Sequence, residues 1–332
     1  MAELRREPIV GRWVIVNTDD PSGPEDFEIE EHTLTQSNNC PFCYGNESLT
    51  PPEIDVVREP STKPNTAGWS VRVVANKFPA LQIEGELNRR GMGIFDMSNG
   101  IGAHEVIIET PYHNKTLTDL LDTEFCDVIS KYCSRALDLI KDKRFKYILI
   151  FKNYGKSAGA SLEHSHTQLI ALPMVPKNVH EELKGARDYF EYRERCIFCD
   201  MIYQEYQDKE RIIIENRNFI AFSPFAPRFP FEVWIVPKRH NPYFCHMMQE
   251  EICDLAKLLK DILMRIKVTL HNPSYNFIIH SSPLDEENKD SYHWHVEIMP
   301  KLTRVAGFEW GTGFYIVTIP PHLSAKYLRE VK

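Results

Sequence analysis

A mainly antiparallel α+β fold, built from two tandem copies of one unit with helices covering the sheet, is what this sequence predicts. Three observations carry that expectation. The 332-residue chain runs twice through one order of features: "CPFC", "HEVIIETPYHN", a long amphipathic stretch, "YILIFKN" and "HSHTQLIALP", then "CIFC", "FEVWIVPKRHN", a second such stretch, "YNFIIHSSP" and "HWHVEIMPKL". The spacings agree, since His113 precedes His164 by 51 residues and His240 precedes His293 by 53. Two periodicities also alternate along the chain, short β-branched runs bounded by Pro, Asn or His and long runs with an apolar residue every third or fourth position.

Taken in order, "DDPSGPED" and residues 59–68 read as loops. "HEVIIET" reads as a strand. In "TDLLDTEFCDVISKYCSRALDLIKDK" apolar residues fall at 121, 125, 128, 129, 132, 136, 137 and 140, the stripe of an amphipathic helix. "KYILIFKN" is a second strand, and "HSHTQLIALP" a third, in which alternation turns His164 and His166 to one face. Residues 176–195 read as a charged connector. The second unit repeats the pattern with "FEVWIVP", a helix from Ile252 to Leu270, and "HVEIMP". The expected domains are 1–175 and 176–332, each β–helix–β–β.

A hydrophobic content of 42% supports a sizeable core, and a net charge of −8 argues against a duplex nucleic-acid partner. "MAELRREPIVGRW" has no apolar signal region and no stretch reaches the roughly 18 apolar residues of a membrane span, so no membrane partner and a cytoplasmic location are expected. In that compartment paired C-x-x-C elements favour metal over disulfide. A thioredoxin-like reading is weaker, because neither pair is followed by a convincing helix. Cys126, Cys133 and Cys253 are expected to pack as small hydrophobes.

Each half offers a C-x-x-C, a His ending a strand and the first His of an alternating pair. Cys40, Cys43, His113 and His164 make one Cys₂His₂ set; Cys196, Cys199, His240 and His293 make the other. Thiolate plus imidazole in fours points to structural zinc, one ion or two. Glu182, His280 and His295 compete for a place at the second. With His164 held on a metal, His166 is free to react, and a neutral imidazole whose other nitrogen is hydrogen-bonded is a good nucleophile towards phosphorus. "NYGKSAGAS" just upstream brings backbone N–H groups, Asn153, Lys156 and Ser161 towards phosphate oxygens. Gln168 can donate a hydrogen bond but is no general acid near neutral pH, so the departing group must leave as a stable anion such as a sugar phosphate.

"GASLEHSHTQ", with "CPFC", "ETPYHN" and the doubled architecture, resembles the galactose-1-phosphate uridylyltransferase family of the histidine-triad superfamily over about residues 4–330. The resemblance implies two histidine-triad-like repeats, a homodimer, and ping-pong transfer of a uridylyl group from UDP-glucose through His166 to galactose 1-phosphate. It implies His166 as nucleophile, Gln168 on the nucleotidyl phosphate, and Asn76, Asn153 and Ser161 as nucleotide contacts. It also implies a zinc ion on Cys40, Cys43, His113 and His164.

The chain departs from the best-known members in two places. "TDDPSGPEDF" lacks their phosphate-binding arginine pair, leaving Arg72, Lys77 or Lys156 to compensate. "GFEWGTGFYI" stands where they carry a hexose-binding Tyr-Glu and a later Gln, leaving Phe308, Glu309 and Gly311, with Trp310, Thr312, Gly313 and Phe314, as acceptor contacts. That segment, "CIFC" and "FEVWIVPKRH" resemble a branch that includes ADP-glucose phosphorylases, where Cys196, Cys199, His240 and His293 form a second zinc site; galactose enzymes use a Glu and three His there. Three readings follow: uridylyl transfer between hexose 1-phosphates, an ADP-sugar phosphorylase, or a non-catalytic zinc protein that binds a partner. The last calls for basic residues near the cysteines, and "NNCPFCYGNE" has none.

Overall fold

The computed structural model describes residues 1–28, 30, 39–285 and 289–331. The first half supplies strands β1 (Glu3–Arg6), β2 (Trp13–Val16), β3 (Glu53–Arg58), β4 (Trp69–Ala75), the hairpin β5 (Arg90–Met92) and β6 (Phe95–Met97), and β7 (Ala103–Ile108). Helix α1 (Asp122–Leu139), β8 (Tyr147–Tyr154) and β9 (His166–Leu172) follow. After α2 (Lys177–Arg193) and α3 (Ile197–Asp208), the second half runs β10 (Ile212–Glu215), β11 (Phe219–Phe222), β12 (Val233–Pro237), α4 (Gln249–Thr269), β13 (Tyr275–His280) and β14 (His295–Pro300). It ends with α5 (Gly307–Thr312), β15 (Tyr315–Val317) and α6 (Pro321–Glu330). No helix among the described residues is long and apolar enough to cross a membrane.

Ten strands form one antiparallel sheet in the order β10-β11-β12-β14-β13-β8-β9-β7-β4-β3. The order is palindromic. Each strand of one half has its counterpart at the mirrored place in the other, about a junction where β13 pairs β8 and Asn276 faces Asn153. A repeat in sequence has become an internal two-fold relation in space. β1 and β2 lie outside this sheet; β1 pairs with β2 and β2 with β15, which joins residues 3–16 to the last strand of the chain in one small sheet.

The helices follow the predicted stripes. Phe125, Val128, Ile129, Tyr132 and Ala136 of α1 are buried, as are Ile252, Leu255, Leu259, Ile262 and Ile266 of α4, and both helices join one core cluster. Each starts with a glutamate at its third position reaching back to a free backbone N–H: Glu124 to Leu121 at 2.7 Å and Glu251 to Met248 at 2.7 Å. Leu121 and Leu137, counted in the predicted stripe, are exposed; Leu121 precedes the first helical turn.

Three expectations need correction. Residues 176–195 are not a connector, because Lys177–Arg193 is helical and buries Val179, Leu183 and Ala186 between charged faces. The C-x-x-C at Cys196 does open a helix, α3. Cys126 and Cys253 are not free: they are joined by a disulfide between α1 and α4, with Cα atoms 4.8 Å apart, where the two apolar stripes meet. Cys133 remains a buried free thiol.

Helix α2 rides close against the turn after β1. A Cβ at Gly185 would lie 1.8 Å from the Ile9 carbonyl oxygen, so only glycine permits this contact. Gly185→Ala must push α2 off the turn, and overpacking of this kind costs about 1–3 kcal/mol. The expected result is a lower urea midpoint at unchanged slope; an unchanged midpoint would show that α2 shifts freely.

Candidate active site and metal centres

Strand alternation sorts the side chains of β9. Thr167 and Leu169 are buried on the helix side, while His166 and Gln168 face a cleft of about 520 Å³ on the other. Phe42 from "CPFC", Thr50, Asn76, Lys77, Phe78, Val106, Ser161 and Leu162 are among its other lining residues.

Two carbonyls set the two imidazoles. His164 Nε2 donates to the Thr110 carbonyl at 2.7 Å, which leaves the Nδ1 lone pair towards the Cys40 and Cys43 sulfurs. His166 Nδ1 donates to the His164 carbonyl at 2.8 Å, which leaves the Nε2 lone pair for the cleft. Burial, assisted by the nearby Lys152 ammonium, lowers the pKa of His166, so the ring is neutral. The Phe42 ring meets it edge-on at 5.3 Å and restricts its tilt.

Behind this strand lies a fully buried ion pair that the sequence reading missed. Glu109 Oε1 accepts from Tyr132 at 2.7 Å and Thr167 at 2.6 Å; Oε2 accepts from Lys152 at 2.6 Å and Ser165 at 2.6 Å. Lys152 Nζ also donates to the His166 carbonyl at 2.9 Å. Burial opposes the charge on Glu109, but Lys152 and the hydroxyl donors hold its pKa below the usual range. His104, also unforeseen, contacts both Asn76 and Gln168 at the cleft.

Other expected site residues fall elsewhere. Asn153 accepts a hydrogen bond from Asn276 at 2.8 Å across the repeat junction and does not line the cleft. Arg72 cannot compensate for the missing arginines: it is 1% exposed, paired with Glu53 and bonded to Thr50. Lys77 reaches the cleft, and Lys156 is exposed on the turn after β8. Phe308, Glu309 and Gly311 lie on α5 and do not line the cleft of His166; Glu309 accepts the Ala306 N–H. Their neighbours Thr312, Gly313 and Phe314 line a second cavity of about 520 Å³ with Arg228, His280 and Glu297.

Three groups of donors converge: Cys40, Cys43, His113 and His164; Cys196, Cys199, His240 and His293; and Glu182, His280 and His295. In each of the first two the four ligand atoms lie within 4.8 Å of one another, and the sulfur-to-nitrogen distances of Cys40 to His164, of Cys43 to His113 and His164, and of Cys199 to His240 and His293 are 3.5–3.6 Å. The edge of a tetrahedron with zinc–sulfur and zinc–nitrogen bonds of ordinary length is about 3.6 Å, so both sets fit a four-coordinate ion. In the third, His280 Nδ1 and His295 Nε2 are buried without a hydrogen bond and lie 3.4 and 3.5 Å from the Glu182 carboxylate. Against burial, Glu297 and Glu182 push the His280 pKa up to about 10, so a cation there must displace its proton. The expected competition for one site is thus resolved into two separate groups, with His293 in one and His295 in the other.

Residues 1–176 match the family described as galactose-1-phosphate uridyl transferase, N-terminal domain, and residues 112–331 match a domain family of unknown function. An ADP-glucose phosphorylase from Arabidopsis thaliana is 38% identical over 99% of this chain and 93% of its own length. A galactose-1-phosphate uridylyltransferase from Thermotoga maritima is 30% identical over 100% and 99%. The crystal structure of an A. thaliana ADP-glucose phosphorylase with bound ADP-glucose superposes with a TM-score of 0.84 at 38% identity, covering 100% of this chain and 99% of that one. A uridylyltransferase structure superposes at 0.77 with 27% identity, covering 99% and 97%. The chain belongs to the galactose-1-phosphate uridylyltransferase family and is an enzyme of it.

Two outcomes are expected from this geometry. Glu109→Ala strands the buried Lys152 ammonium and should cost about 3–5 kcal/mol in denaturant unfolding; a loss under 1 kcal/mol would mean that water or another group takes over the pairing. Replacing Cys40 and Cys43 together by Ser should remove one metal ion per chain by elemental analysis and lower the melting temperature. Full metal content in that variant would sink the first donor set.

Proposed function

We propose that the chain transfers a nucleotidyl group from a nucleotide diphosphate sugar through a covalent intermediate on His166. The observation that carries this reading is the neutral imidazole whose Nδ1–H is held by the His164 carbonyl while Nε2 faces the cleft. Nε2 attacks the α-phosphorus; the bond to the bridging oxygen breaks, and sugar 1-phosphate departs with the electron pair. Gln168 beside it donates hydrogen bonds without supplying a proton, which suits a leaving group already stable as an anion. An acceptor oxygen then attacks the phosphorus and returns the electron pair to Nε2. Zinc on Cys40, Cys43, His113 and His164 would anchor the strand ahead of His166, and a second ion fits Cys196, Cys199, His240 and His293; their role here is structural.

Adenylyl transfer from ADP-glucose to inorganic phosphate is the favoured form, yielding ADP and glucose 1-phosphate. Its support is the 38% identity to an ADP-glucose phosphorylase along nearly the whole chain. Uridylyl transfer from UDP-glucose to galactose 1-phosphate is the second reading, favoured by the 30% identity to a uridylyltransferase. A cytoplasmic homodimer is part of both.

Labelled ADP-glucose should leave an acid-labile, base-stable nucleotidyl group on the wild type and none on His166→Gly, with transfer restored by added imidazole. On the pre-formed nucleotidyl-enzyme, phosphate should react at least a hundredfold faster than galactose 1-phosphate, about 2.7 kcal/mol in barrier. The reverse preference, with UDP-glucose as the better donor, would replace the phosphorylase reading by the uridylyltransferase one. Label on another residue would remove the covalent route through His166.

A further inference from the structure

Asn76, His104 and Gln168 form a polar row across three neighbouring strands on the cleft side of the sheet. β7 runs between β4 and β9, with Val106 opposite both Val74 and Gln168. His104 is two residues before Val106 and shares its face, so it stands diagonally beside Gln168, half-buried.

The backbone donor beside His104 selects one arrangement of protons over the other. The backbone N–H of Ala80 points at Nδ1 from 3.1 Å, and a backbone N–H can only donate. Nδ1 is therefore the ring's acceptor and Nε2 carries its hydrogen. Nε2 lies 2.8 Å from Gln168 Oε1, so the ring donates and the amide oxygen accepts. Asn76 Nδ2 lies 3.1 Å from the same Nε2 with its Oδ1 accepting the Phe78 N–H, so in this tautomer it faces Nε2–H donor to donor and makes no hydrogen bond to the ring, an unfavourable contact that turning the Asn76 amide would relieve. With Oε1 of Gln168 engaged, the other end of that carboxamide, its NH₂, is the end left for the cleft, two residues along the strand from His166.

We infer that His104 is the positioning residue that fixes the orientation of Gln168, turning a side chain with two nearly isosteric ends into a dedicated N–H donor towards the transferring phosphoryl group. The inference rests on the nucleotidyl-transfer reading. A free Gln rotates its amide to present either oxygen or nitrogen, and an oxygen facing the phosphoryl group repels it. The Ala80 N–H fixes the His104 tautomer, and the tautomer fixes the amide. Donors held in place before charge develops contribute most to catalysis, and a misplaced one forfeits a factor of about 10²–10³.

Three measurements test the chain of cause. Ring nitrogen shifts of His104 in the whole protein should report a proton on Nε2 and none on Nδ1; the opposite tautomer overturns the inference whatever the activity. His104→Ala should slow formation of the nucleotidyl-enzyme by about 10–100-fold with little change in donor KM, and His104→Gln, whose Nε2–H reaches the same place, should recover most of it. In a Gln168→Ala background the same His104→Ala change should have less than about a twofold effect, because nothing remains to be oriented. A loss of equal size in both backgrounds means that His104 acts through the fold alone and overturns the inference. A wild type with the expected tautomer that forms no nucleotidyl-enzyme from any nucleotide sugar instead overturns the functional reading.

Discussion

A buried carboxylate governs the site. Glu109 is buried, and a buried charge costs several kcal/mol unless its lone pairs are filled. Tyr132, Thr167, Lys152 and Ser165 fill them, two donors on each oxygen. Two of the four are odd-numbered residues next to the histidines, so satisfying Glu109 fixes which face of that segment turns to the helices. The even-numbered His164, His166 and Gln168 then face the other way. A slip of one residue would turn the hydroxyls to the cleft and the imidazoles to the helices. Lys152 adds a direct tie by donating to the His166 carbonyl, so the backbone of His166 is held from behind while its ring is held from the side.

The second repeat shows that the fold itself does not need this device. Aligned on "ETPYHN" with "VPKRHN" and on the two H-x-H pairs, Glu109 corresponds to Val236, Ser165 to Trp294 and Thr167 to Val296, all buried. Apolar packing does there what the ion pair does in the first half, consistent with buried ionic groups being replaceable by well-packed hydrophobic ones. The imidazole is set up alike in both: His295 Nδ1 lies 3.2 Å from the His293 carbonyl, and Phe198 sits 5.1 Å from its ring. The difference is what Nε2 meets. In the first half it meets a cleft; in the second it meets Glu182 and stacks on His280. Gln168 likewise corresponds to Glu297, which is paired with Arg228 and His280. One copy is arranged to react and the other to be saturated by its own charges.

Much of this was legible in the sequence because repeats, periods and ligand spacings are local. Cys40 with Cys43, and His164 with His166, announce themselves within four residues, and the doubling ties distant partners to them. Helix α2 was hidden because its apolar face is narrow, with only Val179, Leu183 and Ala186 buried among charges. Glu109 and Lys152 were hidden because they sit on separate elements and meet only when the strands fold together; nothing in "IIETPYHN" distinguishes this glutamate from a surface one. The Cys126–Cys253 bond depends on how two helices cross, which no period encodes. His104 looked like the start of a strand, and its role appears only through the Ala80 N–H.

The shortage of cations at the cleft bears on the chemistry. Among the described residues lining it, Lys77 alone carries a positive charge, since Arg72 is spent on Glu53. A site for a diphosphate usually gathers guanidinium or ammonium groups. In the proposed transfer His166 itself would supply part of the charge: a neutral imidazole that bonds to phosphorus becomes cationic and offsets the phosphoryl oxygens at the moment the bond forms. Polar N–H groups such as the Gln168 amide then complete the neutralisation without binding the ground-state diphosphate too tightly. Interactions stronger in the transition state than in the substrate are those that raise the rate. On the proposed reading, a cleft poor in fixed cations, with a neutral His166 held by its backbone, favours the transfer step over storage of the donor.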